Sequence, residues 1–194
     1  MELSVKHQEK YSRGELLLRT FFGWIYIGIP HFFLLFFIGL WSGILAFVSW
    51  WAILFTGRYP QSFFEFQVKT LKWSLRVAAS LFNLVDGFPP FGLNTADDTT
   101  KFEMPYPESL GRGTLLLKTF LGWIYCGIPH GFCLSFRYLW SYILGFIAWW
   151  AVLFTGKYPE SWHEFNVGTL RWTFRFDLYL YYFMSDDYPP FSGK

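Results

Sequence analysis

Two stretches of the chain, Leu16 to Phe55 and Leu115 to Phe154, are apolar at nearly every position, and polar residues gather before and after them. Each stretch is about 40 residues long, twice the roughly 20 that carry one helix across a hydrocarbon core of about 30 Å. The pattern predicts two crossings per stretch. Two places invite the turn between them: Ile29-Pro30-His31, repeated as Ile128-Pro129-His130, and the region from Ile38 to Ser42, repeated as Arg137 to Ser141. An arginine at mid-bilayer costs about 2.5 to 3.5 kcal/mol on insertion scales, so Arg137 favours the second place. Proline is tolerated as a kink. The predicted spans are residues 15–37 and 43–56, then 114–136 and 142–155.

The stretches belong to copies of one unit. Residues 13–84 recur at 112–183 with a constant offset of 99 (112 − 13) and about 40 of 72 positions identical. The chain therefore divides into repeat 1 (1–93), a linker (94–101) and repeat 2 (102–194). The cations recur too, Arg13, Arg19 and Arg58 matching Arg112, Lys118 and Lys157. Basic residues favour the cytoplasmic side, so both copies should face the same way. That requires an even number of crossings per copy and places both termini in the cytoplasm.

After each apolar stretch comes Thr56-Gly57-Arg58-Tyr59-Pro60 or Thr155-Gly156-Lys157-Tyr158-Pro159. Glycine suits the left-handed residue past a helix end, and proline forbids continuation. Ser62 to Glu65 and Ser161 to Glu164 match a capping box, predicting helices over 62–85 and 161–184. In the first, Glu65, Lys69, Lys72 and Arg76 form a polar stripe opposite Phe64, Val68, Leu71 and Leu75, the pattern of a helix lying in the membrane plane. The entries Leu3-Ser4-Val5 and Phe102-Glu103-Met104 alternate as short strands do. The exits Gly87 to Phe91 and Asp187 to Phe191 are held extended by prolines, and entry and exit are expected to meet. The fold class is an all-α membrane protein of two parallel tandem repeats, each a transmembrane helical hairpin plus an in-plane amphipathic helix, with short extended entry and exit segments.

Composition supports this class: 53% of residues are hydrophobic, 25% aromatic and only 15% charged, against roughly 25% charged in soluble domains. A net charge of +2 is too small to point to nucleic acid. The hydrophilic start, without a small-residue cleavage site, predicts no cleaved signal. Cys126 and Cys133 sit inside an apolar stretch, where Ile27 and Leu34 stand in the first copy, so no disulfide framework is expected.

Chemistry is sparse. His31 and His130 form a pair that packing about a twofold axis would bring together as haem ligands or a proton relay; the alternative is a histidine bonding beside a proline kink. Cys126, His130 and Cys133 are spaced by four and three, as metal ligands on a helix can be, but Pro129 interrupts them and small core cysteines are the alternative. Glu65 and Glu164 read as capping residues rather than acids. No catalytic residue, metal or resident cofactor is expected. Lys69, Lys72 and Arg76, with Arg171 and Arg175, are candidates for contact with anionic lipid headgroups or an acidic partner, against a merely solvated face.

The run Ile29-Pro30-His31, then Trp50 to Pro60 (WWAILFTGRYP), Lys72-Trp73-Ser74-Leu75-Arg76 and Phe88-Pro89-Pro90-Phe91, present in both copies with few changes, resembles a family of bacterial integral-membrane domains of unknown function that often occur in tandem. The resemblance implies a bacterial cytoplasmic (inner) membrane location and no transferable activity. The expected function is a non-enzymatic accessory or scaffold subunit that packs against a larger membrane complex and its lipids. A small transporter or lipid-handling protein is the competing class.

Overall fold

The computed structural model describes residues 1–194. Four helices and one two-stranded ribbon make up the fold. Strand β1 is Glu2–Val5, helix α1 Arg13–Thr56, helix α2 Gln61–Leu81, strand β2 Thr100–Glu103, helix α3 Arg112–Thr155 and helix α4 Glu160–Leu180.

The expected hairpins are absent. Residues 38–42 and 137–141 lie inside unbroken helix, and α1 and α3 are single rods of 44 residues, about 66 Å at 1.5 Å per residue. Nothing in Ile38-Gly39-Leu40-Trp41-Ser42 stops a helix: it has no proline, and a glycine costs only about 1 kcal/mol there. Arg137, which pointed to a turn, reaches inward onto α4 and needs no interface. The real irregularity lies at the other place considered. Pro30 has no amide to give to the turn before it, and the helix absorbs the loss as a π-turn over Trp24–Gly28, where Ile29 donates to the Trp24 carbonyl five residues back. Trp123–Gly127 repeats it before Pro129.

At their far ends the long helices stop as expected, with Gly57 and Gly156 left-handed (φ 70° and 72°). The following helices begin one residue before the predicted serine and without a capping box. Pro60 and Pro159 occupy the cap, with no side-chain bond there; Glu65 accepts from Gln61 (2.9 Å) and Glu164 from Arg171 (3.1 Å) instead. Each short helix returns antiparallel along its own long one. Gln67 Nε2 donates to the Ser42 carbonyl (2.8 Å), Trp73 meets His31, and Leu81 lies beside Gly23.

The entries are strands, as their alternation predicts, but they pair with each other rather than with the exits. β1 runs antiparallel to β2 with Leu3 opposite Phe102. Phe102 is Leu3 of the second copy (3 + 99), so the ribbon pairs with its own image. Two equivalent antiparallel strands exchange only by a twofold axis normal to the ribbon, here passing between Leu3 and Phe102. The contacts between copies obey that axis. Arg13 Nη2 donates to the Phe154 carbonyl and Arg112 Nη2 to that of Phe55, both at 2.8 Å. Trp50 Nε1 donates to Thr119 and Trp149 Nε1 to Thr20, both at 2.8 Å. The start of each long helix thus lies antiparallel beside the end of the other.

Three layers result. The long helices form one face, α2 and α4 the middle, and the ribbon with the exits covers the other side, β2 touching α2 and β1 touching α4. The core sits on the axis and draws on both copies, among them Leu3, Leu16, Ile53, Leu75, Phe102, Leu115 and Val152. The middle helices are therefore covered on both sides: Trp73, Leu75 and Val77, for example, are all buried. The long helices keep one side open along their length, with Phe21, Ile25, Phe32, Phe36, Leu40, Phe47 and Phe55 exposed in α1 and Phe120, Ile124, Phe132, Phe136, Tyr142, Phe146 and Phe154 in α3.

Candidate functional site: two histidine cages and a cleft between repeats

His31 and His130 are fully buried, each in a cage built from its own repeat. Trp73 Nε1 donates to His31 Nδ1 (2.9 Å) and Trp172 Nε1 to His130 Nδ1 (2.8 Å). The exits close the cages: Phe91 stacks on His31 and Phe191 on His130, both with centroids 4.0 Å apart, and Phe88 and Tyr188 pack alongside. Nε2 of each ring is enclosed without a hydrogen-bond partner. The two imidazoles are not brought together. A ring whose Nδ1 accepts from tryptophan and whose face carries phenylalanine pins the exit onto the long helix rather than presenting itself to a haem.

The exits are anchored a second time by the cations near the helix starts. Arg19, buried, donates to Asn83 Oδ1 (3.0 Å), the Val85 carbonyl (2.5 Å) and Asp86 Oδ1 (2.7 Å). Lys118 does the same with fewer donors, reaching the Ser185 carbonyl (2.6 Å) and Asp186 Oδ1 (2.7 Å).

Three of the five cations proposed for lipid or partner contact are also occupied internally. Arg76 donates to the carbonyls of Thr95 (3.1 Å) and Gly92 (2.5 Å). Arg171 donates to Leu3 O, Gly193 O and Glu164 (3.0, 2.6 and 3.1 Å), and Arg175 to Ser192 O (3.4 Å). These guanidiniums staple loops to the middle layer. Lys69 is exposed and Lys72 half-buried, both without ion pairs, and Lys72 lines a hollow with Lys101 and Glu103 of the ribbon. Cys126 and His130 do not share a pocket with Cys133: Cys126 is buried against Phe176, Tyr179 and Leu180, while Cys133 is half-exposed.

Arg137 lies against the faces of Phe165 (4.3 Å) and Trp172 (5.8 Å) and donates to Thr169 Oγ1 (3.0 Å) and the Phe165 carbonyl (3.1 Å). It passes over Gly168, where a Cβ would stand 2.8 Å from both its Nη2 and the Gly193 carbonyl. The first copy has Ile38 and Lys69 at the matching positions, so the arginine and the glycine that makes room for it occur together in the second copy and are both absent from the first.

Two features escape sequence reasoning. The first is a contact between His7 and His163, centroids 5.0 Å apart, whose Nε2 atoms face the carbonyls of Tyr158 (2.8 Å) and Leu84 (3.0 Å). Burial lowers the pKa of His163, partly opposed by its bond to the Leu84 carbonyl. An offset comparison would flag the pair, since Tyr106 and Phe64 stand at the image positions and pack 5.2 Å apart. The second is a cleft of about 170 Å³ where the end of α2 meets α3 and α4, lined by Phe82, Tyr138, Ser141, Gly145, Asn166 and Thr169 among others. Asn166 gives its amide to Tyr158 (2.8 Å) and leaves Oδ1 buried and unpartnered. Nearby on α4, burial pushes the Asp177 carboxyl up to about 7.

The image of this cleft is filled. The exit of repeat 2 is one residue longer: α4 ends 99 residues after α2 (180 − 81), whereas Asp186 follows Asp86 by 100. The added length brings Tyr182 to Ser42, the counterpart of Ser141. In repeat 1, Asn83 instead turns away to accept from Arg19, and the space stays open.

No curated protein and no solved structure matches the chain. A family model described as a domain of unknown function, DUF4389, matches residues 16–92 and again residues 117–193. Each match runs from the long helix to the exit that closes the histidine cage, and the chain belongs to that family as a tandem pair of its domains.

Proposed function

We propose that the protein is a non-enzymatic scaffold or accessory subunit resident in a membrane, the bacterial inner membrane in the reading its sequence resemblance implies, where it holds lipids and a larger complex at its surface. One observation carries this reading. The groups able to do chemistry, both caged histidines and most buried cations, are consumed in anchoring the exits and loops, while large aromatic and aliphatic side chains stay uncovered along both long helices. The most apolar 18 residues of each helix have mean hydropathy 2.3 and 1.5, enough to meet lipid, and only 22% and 17% of those windows are buried. The core helix of a soluble protein would be mostly covered. Uncovered apolar surface on this scale marks an interaction site. The test is isolation of membranes followed by affinity purification in mild detergent: a partner in fixed stoichiometry, whose complex dissociates when the gene is deleted, supports the proposal. A monomeric protein whose deletion disturbs no complex overturns it.

A second reading, lipid handling, rests on the cleft between the repeats. Its mouth carries exposed Phe82, Tyr142 and Phe146 and its wall the unpaired Asn166 Oδ1, a combination suited to an acyl chain ending in a hydrogen-bond donor. A Cβ at Gly145 meets open space, so Gly145→Leu fills the cleft without disturbing the helix. Native mass spectrometry should find a lipid retained by the wild type and lost from this variant; equal retention refutes the reading.

A further inference from the structure

We infer that the two long helices lie in the plane of the membrane, embedded in one leaflet, and do not cross it. This rests on the membrane reading above and specifies the surface involved: the acyl layer of a single leaflet.

Length is the first reason. The exposed apolar side chains of α1 run from Leu17 to Phe55, about 57 Å of helix, against a hydrocarbon core of about 30 Å. A steep tilt would shorten that projection, so length alone does not decide.

The ribbon decides. The start of α1 adjoins the end of α3, and the start of α3 adjoins the end of α1. In a crossing arrangement these two junctions would lie on opposite sides of the bilayer. The twofold axis would then lie in the membrane plane, and the ribbon through which it passes would sit at mid-depth. The ribbon carries Glu2, Lys101 and Glu103, whose ion-paired side chains are 60%, 48% and 60% exposed. Exposed charges at the bilayer centre are among the costliest placements available. With the helices in the plane, the axis stands along the membrane normal and the ribbon faces water.

The charges on the long helices agree. Six occur in the two rods: Arg13, Glu15, Arg19, Arg112, Lys118 and Arg137. Arg13 and Arg112 bond at the helix ends; Glu15 accepts from Gly87 in an exit, Arg19 and Lys118 bind the exits, and Arg137 lies on α4. None occupies the exposed stripe between the ends. Arg58 and Lys157, both exposed, follow the other two ends. In-plane insertion puts these four terminal cations at the corners of one headgroup layer, where anionic lipid attracts them; crossing would divide them equally between the two sides.

Nitroxide labels at Phe33, Leu40 and Phe47, spaced by seven and all exposed, test the inference in a Cys126→Ile, Cys133→Leu background reconstituted into phosphatidylethanolamine and phosphatidylglycerol vesicles. Oxygen and nickel-chelate accessibility should give one depth for all three, to within about 5 Å. A spread of about 20 Å, the helical rise from Phe33 to Phe47 at roughly 1.5 Å per residue, would overturn it. Oriented circular dichroism of the unlabelled protein decides independently of any substitution, because all four helices run nearly along one line: an in-plane spectrum is expected, and a transmembrane spectrum refutes. Failure to bind the vesicles at all would refute the membrane reading itself, whereas binding with crossing helices would refute only this inference.

Discussion

The two repeats hold the same cage with different surroundings. Around His31 and His130 the stacked phenylalanine and proline exit coincide, and the tryptophan donors stand at 2.9 Å and 2.8 Å. A few residues away the copies diverge in concert. Ile38 and Lys69 become Arg137 and Gly168, Phe64 and Tyr106 stand where His163 and His7 stand, and one added residue lets Tyr182 fill a groove whose image is open. The difference separates what the fold requires of every copy from what a copy is free to spend on a neighbour.

The largest expected effect tests the shared part. His31→Ala and His130→Ala should each cost about 3 to 5 kcal/mol, because a buried ring is lost and a tryptophan N–H is left unpaired. Chemical unfolding in detergent micelles should show nearly equal losses; a much smaller loss in one repeat would mean the cages are alike in shape only. Next comes the coupled pair. Gly168→Ala should destabilise by about 1 to 3 kcal/mol through overpacking, and by clearly less once Arg137→Ile has removed one of the two obstructions, the Gly193 carbonyl remaining. A double-mutant cycle that shows no such coupling would break the link. Tyr182→Ala should cost about 2 kcal/mol and open the missing groove, and a lipid retained there as well would sharpen the link between groove and ligand.

The smallest effect concerns acid. His163 has a lowered folded pKa, so the unfolded chain binds more protons around the ordinary value of 6.5 and stability rises with pH there. The stability is present above that value and is lost as pH falls through it towards the folded pKa. Thermal melts should therefore weaken on acidification from pH 7.5 to 5. His163→Phe, the residue of the other copy, should reduce the dependence by the share His163 carries, and an unchanged slope would assign the acid sensitivity elsewhere.

Much of this is legible in the chain. The duplication, the glycine–proline breaks, the short helices and the strand character of the entries follow from local rules that depend on a few neighbouring residues. The hairpin expectation fails because it divides apolar length by bilayer thickness, whereas residues 38–42 and 137–141 hold nothing that ends a helix. The requirement that both copies face the same way, with an even number of crossings, is met equally by zero. Arg137 misleads for a related reason, since its partners Phe165 and Thr169 lie on another helix, 28 and 32 residues further along. The cleft is invisible in either copy alone, arising from a one-residue difference in exit length that only the folded comparison exposes.

The pairing of Leu3 with Phe102 also sets an order on the making of the molecule. The first strand has no partner until roughly 95 further residues have been synthesised, about 5 to 20 s at ordinary rates of translation, and Arg13 waits for Phe154, 141 positions later. Throughout that interval the first long helix has only α2 of its own repeat along its inner side, and both of its ends lack the second copy's helix that will lie beside them. Whatever holds those ends meanwhile, a lipid surface or a chaperone, precedes the other half of the chain as their partner.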